Sequence, residues 1–87
     1  MRIRLECGHQ ELWLELSDSA PVNVAQLLRS ASEQWPDLYA RWCDPEGRLR
    51  LSLPVYVDGE HIRYRQGLET LLADGSQVYV LPIVAGG

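Results

Sequence analysis

An α+β roll, with one main helix lying across a mixed sheet of four to five strands, is the fold class that this sequence predicts. Three observations carry the expectation. Apolar and polar residues alternate near both ends of the chain, a single stretch repeats its apolar residues at helical spacing, and the segments between carry turn dipeptides. A length of 87 residues suits one domain with one core. The 46% apolar and 23% charged residues match ordinary globular usage, which argues against a disordered tail or linker. A domain of this size buries roughly 60% or more of its unfolded surface and needs no disulfide staple.

Ile3 and Leu5 alternate with Arg2, Arg4 and Glu6, and Leu12, Leu14 and Leu16 alternate with Glu11, Trp13 and Glu15. That period of two predicts two half-buried strands, joined as a hairpin around Gly8 to Gln10. Asn23 then supplies an N-cap oxygen, with Gln26 three residues later in a capping-box arrangement. Val24, Leu27, Leu28, Ala31 and Trp35 follow at helical spacing, predicting one amphipathic helix that stops near Pro36. From Asp37 to Arg48 no period is sustained, and the expectation is a loop, with room for a short turn of helix, that contributes little to the core. Leu49 to Val57 is strand-like, with Pro54 favouring an edge or bulge. Asp58-Gly59 predicts a type I′ hairpin turn, and His61 to Tyr64 the return strand. After a short apolar turn over Leu68 to Leu72 and a second turn at Asp74-Gly75, Val78 to Leu81 forms the last strand, with Val78 and Val80 on one face. The order β-β-α-β-β-β packs naturally as a β-grasp roll whose first and last strands run parallel, side by side.

Charge and patterning exclude several function classes. Twelve acidic residues against eight basic ones leave a net charge of −4, and no basic cluster is present to track a phosphate backbone, so direct nucleic-acid binding is not expected. No apolar run approaches the ~18 residues of a membrane span, and the opening Met-Arg-Ile-Arg-Leu-Glu lacks a signal-peptide core; a cytoplasmic protein is expected. Cys7 and Cys43 form no disulfide framework and suit a reducing compartment.

The catalytic inventory is thin. His9 and His61 fall in or beside hairpin turns, and Cys7, His9 and Cys43 match no zinc spacing, so they read as a buried thiol and solvated imidazoles rather than as metal ligands. Neither cysteine stands in a basic surrounding that would make it a nucleophile, Arg41 aside. Phosphate loops, G-x-S-x-G and paired-carboxylate motifs are lacking. No bound cofactor and no enzymatic activity are expected.

Chemistry points instead to the carboxyl end. Residues 1–82 read as the globular domain and residues 83–87 as a flexible tail in which Ile83, Val84, Ala85, Gly86 and Gly87 diminish in side-chain size toward the carboxylate. Five extended residues reach about 17 Å, enough to thread a narrow channel into another protein's active site. Glycine at the last two positions lets foreign backbone or nucleotide approach closely. Transfer to AMP would turn the inert Gly87 carboxylate into a mixed anhydride open to attack by sulfur or an amine. Against this stands the plain reading of a frayed end.

The motifs that frame this tail resemble those of the ubiquitin-like sulfur carriers of the MoaD/ThiS family. They are the segment Val55 to Arg63, then Gly67-Leu68-Glu69-Thr70, Asp74-Gly75 with Val78, and Pro82 followed by Val84-Ala85-Gly86-Gly87. The helix start Asn23-Val24-Ala25-Gln26-Leu27-Leu28 is similar to the family's Thr-Val-x-x-Leu-Leu. This resemblance implies a carrier whose Gly87 carboxylate is adenylated by an E1-like adenylyltransferase that supplies the ATP. A sulfurtransferase or sulfide source then converts it to a thiocarboxylate, and sulfur passes to a biosynthetic acceptor enzyme. Within the family the alternative is the small subunit of molybdopterin synthase, in molybdenum cofactor biosynthesis. Outside it stand a ubiquitin-like modifier joined to target lysines and a plain interaction module. The sequence departs from its relatives in a shorter first hairpin, Cys7 to Gln10, and in Leu71 and Ser76, where relatives often carry Pro and Asp.

For docking, Trp13, Tyr79 and Leu81 are expected on the helix-free side of the sheet, as an apolar patch beside the tail root, with Arg63 adding a salt-sensitive contact. The equal alternative is that the aromatic residues simply shield the sheet or one another. All eight basic residues are arginine, so chains linked through lysines of the carrier itself are disfavoured, although an arginine-biased genome explains the same absence.

Overall fold

The structure is a computed structural model and describes residues 1–82. Five strands form one mixed sheet in the order β2-β1-β5-β3-β4, with β1 at Arg2–Cys7, β2 at Gln10–Glu15, β3 at Val55–Val57, β4 at Glu60–His61 and β5 at Gln77–Val80. The terminal strands β1 and β5 run parallel at its centre, pairing Leu5 with Val78 and Cys7 with Val80, and the other pairs are antiparallel. This is the β-grasp roll expected from the element order. Two 3₁₀ turns, Ile62–Tyr64 and Gly67–Glu69, lead from β4 back towards β5.

The first hairpin is tight. Cys7 pairs with Gln10, so Gly8 and His9 alone make the turn, and the positive φ of 62° falls on Gly8, as a type II′ turn demands. At Asp58-Gly59 both φ values are positive, 50° and 89°, which is the type I′ geometry expected there. The Asp58 side chain also accepts a 2.9 Å hydrogen bond from Gln77 N–H, tying the turn to the start of β5.

Helix α1, Val24–Ala31, begins with a complete capping box: Asn23 Oδ1 accepts from Gln26 N–H at 2.9 Å, and Gln26 Oε1 accepts from Asn23 N–H at 2.8 Å. Its Val24, Leu27, Leu28 and Ala31 are buried against the inner sheet face formed by Ile3, Leu5, Leu14, Val55, Val57, Val78 and Val80. Burial of such aliphatic side chains contributes roughly 1.5–3 kcal/mol each before chain entropy is counted. Thr70 is buried without penalty, because its hydroxyl donates to Gly67 O at 2.7 Å and accepts from Gln66 N–H at 3.1 Å.

Four expectations are corrected. Helix α1 closes at Ala31, and Pro36, expected to stop a helix, instead starts one: α2 spans Pro36–Trp42 with the proline in its first turn, where a missing N–H costs nothing. The roll therefore has two helices, and the segment expected to add little core delivers Trp42, only 1% exposed and the largest fully buried side chain. The strand expected over Leu49 to Val57 shrinks to β3. Leu49 forms an isolated bridge with Cys43, Leu51 stands 90% exposed, and Leu53 turns into the core. The return strand shrinks to Glu60–His61, because His61 Nδ1 accepts from Arg63 N–H at 3.0 Å and bends the chain into a 3₁₀ turn that buries Ile62.

Candidate functional site

The last paired residue of β5, Val80, lies between Cys7 of β1 and Val55 of β3. Beyond it, Leu81 N–H donates to Pro54 O at 2.9 Å, so the chain is held at the sheet's end for one residue more. Alternation along β5 puts Tyr79 and Leu81 on the outer face, and Leu81 is 45% exposed. Pro82 is exposed beside them. The expected tail residues Ile83, Val84, Ala85, Gly86 and Gly87 lie outside the described residues.

Around this tail root the register assembles an aromatic row. Tyr79 is opposite Tyr56, and Tyr56 is opposite His61. The Tyr56 and His61 rings meet edge to face with centroids 4.9 Å apart, and Tyr64 meets His61 the same way at 6.4 Å. Arg63 lays its guanidinium 5.9 Å from the Tyr64 centroid. Tyr56, Gly59, Glu60, His61, Arg63 and Tyr64 line an open hollow at this edge of the sheet.

Of the four residues expected to make a docking surface, Tyr79 and Leu81 come together, and Arg63 joins them through Tyr56 and His61. Trp13 does not. It is 49% exposed on the edge strand β2, with the Arg2 guanidinium 4.5 Å from its ring centroid. Between it and Tyr79 runs a charged strip in which Arg4 binds both carboxylate oxygens of Glu11, at 2.9 and 3.2 Å, and reaches Glu6 at 3.2 Å. Hydrogen bonding to Glu11 raises the Arg4 pKa further above its ordinary value.

Tyr56, His61 and Tyr64 were not among the expected site residues. The first two were within reach of the sequence: inward Val55 and Val57 turn Tyr56 outward, and a two-residue turn at Asp58-Gly59 puts His61 opposite it. Tyr64 depends on the 3₁₀ turn and carried no such signal.

Both cysteines are buried and free. Burial pushes the Cys7 thiol pKa up, against smaller opposing pulls from Trp42 and the Arg41 guanidinium, which is the reverse of what activates a nucleophile. Among the described residues, no three His, Cys, Asp or Glu side chains are grouped to hold a metal ion.

A five-stranded mixed sheet with parallel terminal strands, a capped helix across its inner face and a chain end leaving the central strand define a ubiquitin-like β-grasp domain. Across residues 9–87 the sequence matches the ThiS family model, and the chain belongs to that family. A candidate sulfur carrier protein of Archaeoglobus fulgidus is 30% identical over 87 residues, covering 100% of this chain and 98% of that protein. The sulfur carrier protein CysO of Mycobacterium tuberculosis is 45% identical over 49 residues, about half of each chain (54% and 53%). In fold, the crystal structure of SAMP1 from Haloferax volcanii superposes with a TM-score of 0.78 over 100% of both chains at 18% identity, a likeness of architecture alone.

Proposed function

We propose that this protein is a sulfur carrier that works through its Gly87 carboxylate and is itself not a catalyst. An E1-like enzyme binds the outer sheet face and receives the tail. The carboxylate attacks the α-phosphorus of ATP, pyrophosphate leaves, and an acyl-adenylate remains. Sulfide then attacks the carbonyl carbon and AMP departs, leaving the thiocarboxylate. Where a sulfurtransferase persulfide attacks instead, AMP departs to leave an acyl disulfide, and a thiol cleaves it by forming a disulfide with the sulfurtransferase sulfur. In either case the thiocarboxylate carries the sulfur to an acceptor enzyme. A cytoplasmic setting would supply both ATP and reduced sulfur.

The observation that carries this reading is the family match, which runs through the last residue, Gly87. The fold supports it physically: the chain leaves the central strand with Leu81 and Pro82 exposed, next to the row of half-buried Tyr79 and Tyr56. The thread of Ile83, Val84, Ala85 and Gly86 adds little bulk, and the body supplies recognition.

Intact-mass measurement after incubation with ATP, a sulfide donor and the activating enzyme of the same organism tests the proposal. Exchange of one oxygen for sulfur is expected, as is its loss on deletion of Gly87 with the fold unchanged. A truncated protein that still transfers sulfur would overturn the role of Gly87. Covalent adducts on lysines of other proteins would instead identify a modifier, and a stable pair with a larger catalytic subunit the molybdopterin-synthase role.

A further inference from the structure

We propose that Gly8 is a positioning residue for the tail: its bare backbone seats the Pro82 ring and so sets the direction in which the chain departs toward Gly87. This inference rests on the sulfur-carrier reading for its function, and on geometry for its existence. Parallel pairing stops at Cys7 and Val80, which brings the residue after β1, Gly8, alongside the chain leaving β5. Because the first hairpin turns in only two residues, no longer loop stands between Gly8 and the tail root. A Cβ built on Gly8 would meet Pro82 Cγ at 3.3 Å, tighter than ordinary van der Waals contact, so a side chain there requires the ring to give by a few tenths of an ångström. On the other flank, Leu81 N–H is held by Pro54 O at 2.9 Å. Leu81 thus has one fixed side, and Pro82, with φ set by its ring, has Gly8 as the other.

The positive φ of Gly8 also favours glycine for the turn alone, and the test must separate the two roles. In Gly8→Ala, kcat for adenylation, followed by pyrophosphate exchange, is expected to fall about tenfold or more, since small misplacements of a reacting group are costly. KM is expected to hold, because the docking face is untouched. Adding Pro82→Ala removes Cγ, the atom that Cβ would strike, and should return kcat to the level of Pro82→Ala alone, which is expected to lie between wild type and Gly8→Ala. A Gly8→Ala/Pro82→Ala double variant no faster than Gly8→Ala overturns the proposal and leaves only turn strain.

A readout independent of any enzyme is the amide spectrum. Gly8→Ala should shift the Leu81 and Ile83 resonances, and the double variant should shift them back towards those of Pro82→Ala. Shifts confined to residues 7–10 overturn the seating. Should Gly8→Ala fail to fold, Pro82→Ala alone is expected to lower kcat with KM held, and an unchanged kcat overturns the proposal. Wild-type protein that is never adenylated, while the variants show the spectral coupling, counts against the sulfur-carrier reading and not against the seat.

Discussion

The outer face of the sheet has two unlike ends. Around Trp13 every charge has a partner: Arg2 covers the indole, Arg4 is bound by Glu11 and Glu6, and the Met1 amino group pairs with Asp18 at 2.9 Å. Around half-buried Tyr79 the rings of Tyr56, His61 and Tyr64 and the exposed Leu81 form an aromatic and apolar row, with Glu6 opposite Tyr79 on its β1 side. A partner docking on the first end would have to disrupt pairs already made. On the second it gains contact area simply by displacing water. The difference teaches that two outward-facing aromatic residues on one face are not one patch, and under the proposed function it assigns recognition to the end from which the chain leaves β5.

The largest expected effect lies beneath the tail end. Trp42→Ala empties a fully buried site beside Cys7 and should cost about 3–5 kcal/mol, read from chemical denaturation. A loss near zero would mean that α2 is an ornament on the roll. Next comes recognition itself. Tyr79→Ala should lower kcat/KM for activation about tenfold or more while the fold persists. Trp13→Ala sharpens the contrast: stability loses the Arg2 contact, about 0.5–1 kcal/mol, together with the packing of the covered half of the ring, while activation stays nearly unchanged. Equal activation losses at Trp13 and Tyr79 would erase the distinction between the two ends.

Glu11→Gln should be smaller again, under about 1 kcal/mol and shrinking as salt is added. The last effect is visible only in acid. Asp44 Oδ1 accepts N–H bonds from Arg48 at 3.0 Å and Glu46 at 2.9 Å, and these hold its carboxyl below the ordinary carboxylate value of 3.8. A depressed pKa stabilises the fold above the unfolded value, and that contribution disappears as pH falls through the folded one. The turn over residues 44–48, which follows Trp42, should therefore loosen in acid below about pH 4, and Asp44→Asn should flatten that part of the pH–stability profile.

Much of the fold was legible because its signals are local. The Asn23–Gln26 capping box, the Asp58-Gly59 turn and the alternation of Leu12 and Leu14 with Trp13 each involve residues within a few positions of one another. Helix α2 was not legible: Pro36 begins a helix as readily as it ends one, and among its seven residues only Trp42 is buried. Nor could Leu49 to Leu53 be separated from a strand, since alternation does not reveal whether a neighbour is present to pair. At the site, the outward faces of Tyr79, Leu81 and Trp13 followed from period-two patterning, but their separation depended on Arg4 and Glu6 of β1 standing between them.

By itself, then, the sequence determined the hairpins, the capped helix, the parallel meeting of the two terminal strands and the pairing of a compact body with a tapering end. Only the tertiary structure decided which outward-facing aromatics are neighbours, what supports the tail root and what stands beside Pro82. The physical reason is range: caps, turns and alternation are set by atoms a few residues apart, whereas Gly8 meets Pro82 only after the whole chain has closed into a sheet.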